Sequence, residues 1–265
     1  LAEELMRVNW SMKQMRYLMV TSSAYRQASS PRFSIEAVGA RRRWRESKRR
    51  DPENRLISRY PRRRLDGEIL RDCMLQVSGT LNFKMLGPGI RPPLSEEIAQ
   101  TLLKDQWLVT TEEEEHTRRS VYVFSRRNLR YPFFEIFDRP DANHSCPKRN
   151  ISVTAPQALV LLNSQFSLAC ARRFAGRVLR DSPSDEFFVR RAFRLAVGRE
   201  IRDKELMKSL DYLEKQKMRK GVEKKKRDRS SYPLPLPATM YPGTSIAYTQ
   251  YCLVLFNLLE FCYSP

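Results

Sequence analysis

The stretch Phe137–Asn163, FDRPDANHSCPKRNISVTAPQALVLLN, decides how the chain is read. Its first half puts Asp138, Asp141, His144 and Cys146 within nine residues, followed by Arg149. Pro140 lies between the two aspartates, and Asp beside Pro favours a turn held by side-chain to backbone hydrogen bonds. The second half is an apolar, Pro-started segment, Ala155–Leu162, which reads as a helix. Polar residues are thus gathered on a turn that feeds a buried helix.

Outward from this stretch the apolar residues recur at helical spacing. On the C-terminal side, helices are predicted from Ser164, over Asp185–Val197 with Gly198 closing it, and from Asp203, with Leu206, Leu210 and Leu213 on one face. Pro233–Pro237 reads as an extended polyproline-like linker. On the N-terminal side, Pro132–Phe137 reads as a short aromatic helix and Ser120–Phe124 as a short strand. Leu65–Leu81 is predicted helical, with Asp66, Glu68 and Asp72 near its positive end. Asp51–Arg55 reads as the start of a short helix, and residues 28–50 as a loop or insertion. Residues 1–27 read as two short helices: Ser11 with Gln14 makes a capping box, and Met12, Met15, Leu18 and Met19 form a core-facing stripe. The expectation is a mainly α, irregular multi-helix single domain over 1–265, with long loops and room for one small β hairpin.

The length of 265 residues and an apolar fraction of 41% suffice for a buried core. The formal charge of +19 is concentrated: 41–50 and 215–229 together supply thirteen of the nineteen charges, so the body is mildly basic. These runs read as basic insertions, bounded at 39–50 and 215–245. Apart from Trp44 they lack interleaved aromatics, so they offer no base-stacking platform, and nucleic acid is not the expected partner. Five cysteines show no CxxC pair and no metal-type spacing, and C-x-x-C-H is absent, so no covalent haem attaches to this chain. Ile246–Tyr263 is interrupted by Gln250, Asn257 and Glu260 and is too short for a membrane-spanning helix, so it reads as buried. The chain starts at Leu1 already in helical pattern and reads as a piece of a longer protein.

Chemistry is sought first at Asp138, Asp141, Cys146 and Arg149. The two carboxylates could share acid–base work or hold a metal, or simply close an Asx turn. His144 and Cys146 would extend the ligand set, but no standard zinc spacing results, and no metal is expected. Cys146 as a nucleophile needs His116 or His144 as its base, and Lys148 or Arg149 would lower its pKa. The alternative is a buried or disulfide-bonded cysteine. Glu112–Glu115 reads as a solvated loop.

Several blocks together resemble one family: WSMK with LMVTSSAYRQ (Trp10–Gln27), DPENRL with RRRLDGEILRD (Asp51–Asp72), GPGIRPPL, RRSVY, the central stretch, and FNLLEFCY near the end. The chain is similar to the C-terminal domain of unknown function in planctomycete proteins that also carry cytochrome c domains. On that resemblance the motif residues are Arg64, Asp66, Arg71, Asp72, Asp138, Asp141, Cys146, Arg149, Gln157 and Asn163. It implies an exported, periplasmic or cell-envelope setting and a haem c partner on an upstream domain of the same polypeptide. It also implies service in electron transfer or polysaccharide breakdown. Charge complementarity further predicts that Arg64, Asp66, Arg71 and Asp72 meet the central Asp/Arg cluster in one buried polar network. Two other function classes stay open: an enzyme with a site at 138–149, and a basic nucleic-acid-binding helical protein.

Overall fold

The computed structural model describes residues 1–29, 38–103, 106–127, 129–222, 231–237 and 240–263. They fall into two compact units, Leu1–Arg64 with Tyr263–Pro265, and Leu65–Cys262. Helices dominate both, as predicted.

In the first unit, α1 (Ala2–Arg7) packs against α2 (Met12–Thr21), and α3 spans Val38–Arg50. Ser11 caps α2 by accepting from the Gln14 amide at 3.4 Å. The methionine stripe is largely uncovered: Met15 is buried, whereas Met12, Leu18 and Met19 are exposed. Two short helices offer each other one line of contact, which leaves the rest of the stripe in solvent. Of the segment 28–50 expected as a loop, 30–37 lies outside the described residues, and 38–50 is helical in α3. Its arginines and lysine are good helix formers, and Glu46 accepts from Arg49 and Arg50 a turn away. Asp51 does not open a helix. Its carboxylate accepts from the amides of Arg55 (2.8 Å) and Leu56 (2.9 Å) and closes a turn instead. Arg64 is buried in this unit and forms an isolated antiparallel bridge with Tyr263.

The second unit begins with α4 (Gly67–Ser78), which stops at Gly79 in the left-handed conformation (φ 76°) that glycine adopts freely. After the turn-rich 79–94 segment come α5 (Glu96–Ala99) and 3-10 turns at Glu113–Thr117 and Ser120–Tyr122. Then follow α6 (Pro132–Ile136), α7 (Ala155–Asn163), α8 (Gln165–Leu179), α9 (Asp185–Val197), α10 (Asp203–Val222), α11 (Pro242–Phe256) and α12 (Leu259–Cys262). The core is built on α8 and α11. Phe174 of α8 stacks on Phe256 of α11 with centroids 6.0 Å apart, and α4, α7, α9 and α10 pack around the pair. Most of α11 is buried, as expected, and among the described residues no helix is long and apolar enough to cross a membrane.

Two local expectations fail for clear reasons. Ser120–Phe124 forms no strand, only an isolated parallel bridge from Val123 to Ile90. Ile90 is flanked by Pro88, Pro92 and Pro93, which have no N–H to extend a ladder. The Pro233–Pro237 segment is a docked strap rather than a free linker. Leu234 donates to the Arg172 carbonyl (2.9 Å), Arg172 returns a bond to Tyr232 (2.7 Å), and Pro233 is buried. Of the second basic run, 215–222 belongs to α10, while 223–230 lies outside the described residues.

Candidate functional site

The motif carboxylates of the second unit separate into three places. Around the central turn, Asp138 takes a left-handed backbone (φ 62°) and accepts from the Ser152 amide (2.8 Å) and hydroxyl (2.8 Å). Buried Gln157 donates to that same hydroxyl (3.1 Å) and to the Ile136 carbonyl (3.0 Å), and with Thr154 it forms the capping box that starts α7. Asp138 and Gln157 therefore clamp the approach to α7 through long-range contacts. The Asx-type turn is made by Asp141 instead, whose carboxylate accepts from the amide two residues on. The T-x-x-Q spacing at 154–157 was the signal for the box.

Asp141 belongs to an exposed loop. Its carboxylate accepts from the Asn143 amide (3.0 Å), which together with Arg130 and His144 holds it below the usual carboxylate range. Cys146 is exposed and free, donating weakly to the Lys148 carbonyl (3.2 Å), so neither burial nor a disulfide accounts for it. Arg149 reaches back to α4, contacting Glu68 and Asp66 at 3.1 Å each. Its guanidinium is held above its ordinary value, first by the hydrogen bonds it donates to Glu68, with the charges of Glu68 and Asp66 adding to it. Arg139 joins the same carboxylate from 3.5 Å. Arg149 thus meets Asp66, and Glu68 outside the motif set, but at an exposed site rather than in the buried network expected. Among the described residues no group of three His, Cys, Asp or Glu could hold a metal ion.

Arg71 and Asp72 point elsewhere, which corrects the single-network expectation. Asp72 accepts from the Ser120 amide (2.7 Å) and hydroxyl (2.6 Å). Arg71 is 1% exposed and donates to the carbonyls of His116 (2.6 Å) and Arg118 (2.9 Å) and to the Ser120 hydroxyl (3.2 Å). Successive turns of α4 diverge, so residues 66 and 68 face the 139–149 loop while 71 and 72 face the 116–120 turn. That turn is pinned from its other side by Arg118, fully buried, which lies 3.8 Å over the Tyr122 ring and bonds the carbonyls of Lys84, Leu86 and Pro88.

Arg71 also lines a cleft of about 1180 Å³ in this unit. One wall is a face of α8: Ala169 and Cys170 lie three and four residues after Phe166, and Arg173 four and three residues after them. Tyr131 and Phe133 of the α6 region form the second wall, and Phe133 meets Phe166 edge-on at 5.5 Å. Tyr131 is held by the Trp107 ring (6.4 Å, near parallel), and Trp107 is itself anchored to the Pro92 carbonyl (2.8 Å). Prolines 92 and 93 and the α5 region close the third side, and Asn163 marks the α7–α8 corner. Among the motif residues, Arg71 and Asn163 are the ones that reach this cleft.

The cleft is well suited to binding and poorly suited to nucleophilic chemistry. Burial pushes the Cys170 thiol up to about 12, so it stays protonated and unreactive near neutrality. Burial likewise raises the Tyr131 phenol, opposed by the nearby Arg71 charge. His116 is oriented by its Nε2 contact to the Thr110 carbonyl at 2.6 Å; a carbonyl only accepts, so that nitrogen carries the proton. The cleft escaped sequence reading because its walls come from residues 71 to 173, in segments that share no local pattern. No curated protein and no solved structure matches the chain. The model of one family, PSD1, described as a protein of unknown function (DUF1553), matches residues 1–213. The chain belongs to the PSD1 (DUF1553) family.

Proposed function

We propose that this chain is a binding module, working through the α4–α6–α8 cleft, within an exported planctomycete-type cell-envelope protein that carries a cytochrome c domain upstream. The observation that carries the binding reading is the cleft itself: about 1180 Å³, walled by aromatic rings and floored by a buried arginine. Ligand pockets are commonly of this size and this mixture of apolar walls with few polar groups. The exported setting and the haem partner rest on the motif resemblance from Trp10 to the FNLLEFCY block. The chain's own residues do not fit covalent haem, since the sequence lacks C-x-x-C-H, so a covalently attached haem c belongs to another domain. Service in electron transfer or polysaccharide breakdown would then reach this module through its neighbours.

Two measurements test the reading. The neutral dye N-phenyl-1-naphthylamine should show saturable, single-site uptake that Ala169→Trp abolishes, because Ala169 is exposed on the α8 wall and an indole there fills the cleft. Non-saturable uptake, or uptake indifferent to the tryptophan, removes the binding module. The native protein, purified with its own terminus, should stain for haem and carry a processed N-terminus. A haem-negative protein removes the cytochrome partner and leaves the cleft.

A further inference from the structure

Resting on the cleft as a binding site, we infer that its ligand carries an anionic oxygen group, a carboxylate or its equivalent, on a flat apolar body. Arg71 is the first reason. Its charge is buried, its Nε has no hydrogen-bond partner, and its closest carboxylate, Asp72, stands 3.9 Å away. That carboxylate is already committed to the Ser120 amide and hydroxyl. A buried cation whose nearest carboxylate stands at the outer edge of ion-pair range and is bonded elsewhere is only partly compensated. That leaves a positive field in the cleft floor, in a medium that screens it weakly. Tyr131, beside it, supplies a hydroxyl that the Arg71 charge favours as a donor to an anion.

Arg173 is the second reason, and it is independent of the first. It lies on the cleft face of α8, exposed, with no hydrogen bond or ion pair to any described residue. The two guanidiniums come from different helices onto one cleft, and the rings of Phe166 and Tyr131 lie along the same wall system. The carboxylates of Glu96, Glu97 and Glu113 line the cleft from the α5 side and the 113–117 turn, all three exposed. They fix the polarity. The anionic end is directed to the α4–α8 side, and a hydroxyl-bearing or cationic end is directed to the acidic side.

The probe pair 8-anilinonaphthalene-1-sulfonate and N-phenyl-1-naphthylamine shares one aromatic body and differs by the sulfonate. Titrated by fluorescence into the full chain, the sulfonate dye should bind about tenfold more tightly than the neutral dye at low salt, the worth of one charge-assisted hydrogen bond. Raising the salt should shrink that ratio, since Arg173 is exposed. Arg173→Gln should cut the ratio several-fold, whereas Arg190→Gln, on the solvent face of α9, should leave it unchanged. Arg71→Lys tests the floor charge in a form that keeps the cation, and Arg71→Met removes it. Should the methionine variant fail to fold, Arg173→Gln and the salt series still decide. Equal affinities for the two dyes, or a ratio indifferent to Arg173 and salt, overturn the anion assignment while the binding module stands. Failure of both dyes to saturate overturns the binding module itself.

Discussion

The guanidinium of Arg71 donates at 2.6 Å to the backbone carbonyl of His116, joining α4 to a 3-10 turn 45 residues further along the chain. The same side chain serves Arg118 and Ser120, so one buried arginine organises three groups of that turn. Because the turn and α4 also border the cleft, packing and function meet at this residue.

Arg71→Met is therefore expected to cost stability heavily. It strands the carbonyls of His116 and Arg118 and leaves the Ser120 hydroxyl to Asp72 alone, and removing one side of such a buried arrangement costs about 3–5 kcal/mol. Arg71→Lys should recover less than half, because an ammonium lacks the planar fork that reaches several acceptors at once. Urea unfolding of both variants measures this. A loss below about 1 kcal/mol would mean that water satisfies the stranded groups and that Arg71 is not their organiser.

Asp138 and Asp141 should part company on substitution. Asp138→Ala loses the acceptor for the Ser152 amide and hydroxyl and forces alanine into a left-handed backbone. We expect a loss of about 2–3 kcal/mol from the two effects together. Asp138→Asn keeps one acceptor oxygen and the tolerance for positive φ, and should lose about half as much. Asp141→Asn should leave the urea midpoint in place, since its loop is exposed. If Asp138→Asn folded with undiminished stability, its clamp on Ser152 would be incidental.

Helix boundaries were legible wherever propensity and periodicity agreed: Asp185–Val197 with its closing Gly198 is observed as read. They were misread where composition misled. Arg-rich 41–50 looked like a loop for want of periodicity, yet it forms a helix stabilised locally by Glu46 rather than by an apolar stripe. The methionines of α2 had core spacing, but spacing cannot report whether a neighbour covers the face. Within the candidate site, charge brought the Asp66 block to the central cluster, where Asp66 meets Arg149, though in an exposed contact rather than a buried network. Arg71 and Asp72 were assigned to the same network because a helix turns their side chains by an amount that charge counting ignores. Tyr131, Phe166 and Arg173 carried no signal at all, since an aromatic or a basic residue on a helix looks the same whether it lines a cleft or not.

Gly176 tests the docked strap. It lies within α8, buried, and a Cβ there would collide with the carbonyl group of Leu234. Backbone cannot yield as a side-chain tip can, so Gly176→Ala should displace the 231–237 strap and cost about 1–3 kcal/mol, the usual range for overpacking. The Leu234 amide, which donates to the Arg172 carbonyl, should exchange with solvent faster in the variant. Unchanged exchange at Leu234 would show that the strap adjusts without leaving α8.

Acid should weaken the second unit through Glu205. Its carboxylate accepts a two-pronged contact from Arg199 at 2.8 and 2.9 Å and a bond from the Arg202 amide at 2.9 Å. Arg199 also binds Glu260 of α12 at 2.7 Å, so the pair ties the start of α10 to the chain's last helix. The Arg199 hydrogen bond is the main reason the Glu205 carboxyl is held below its usual 4.5, with burial working against it. A depressed carboxylate contributes its stability above the unfolded value and loses it as the pH falls through the folded one. The stability gap between wild type and Glu205→Gln should then be present at neutral pH and close as the pH falls from the usual 4.5 through the lowered folded value. Its size should stay under about 1 kcal/mol, because solvent screens a carboxylate that is one-third exposed. Urea midpoints at neutral and acid pH read the gap directly. A gap that persists undiminished in acid would assign Glu205 a role in packing rather than in charge.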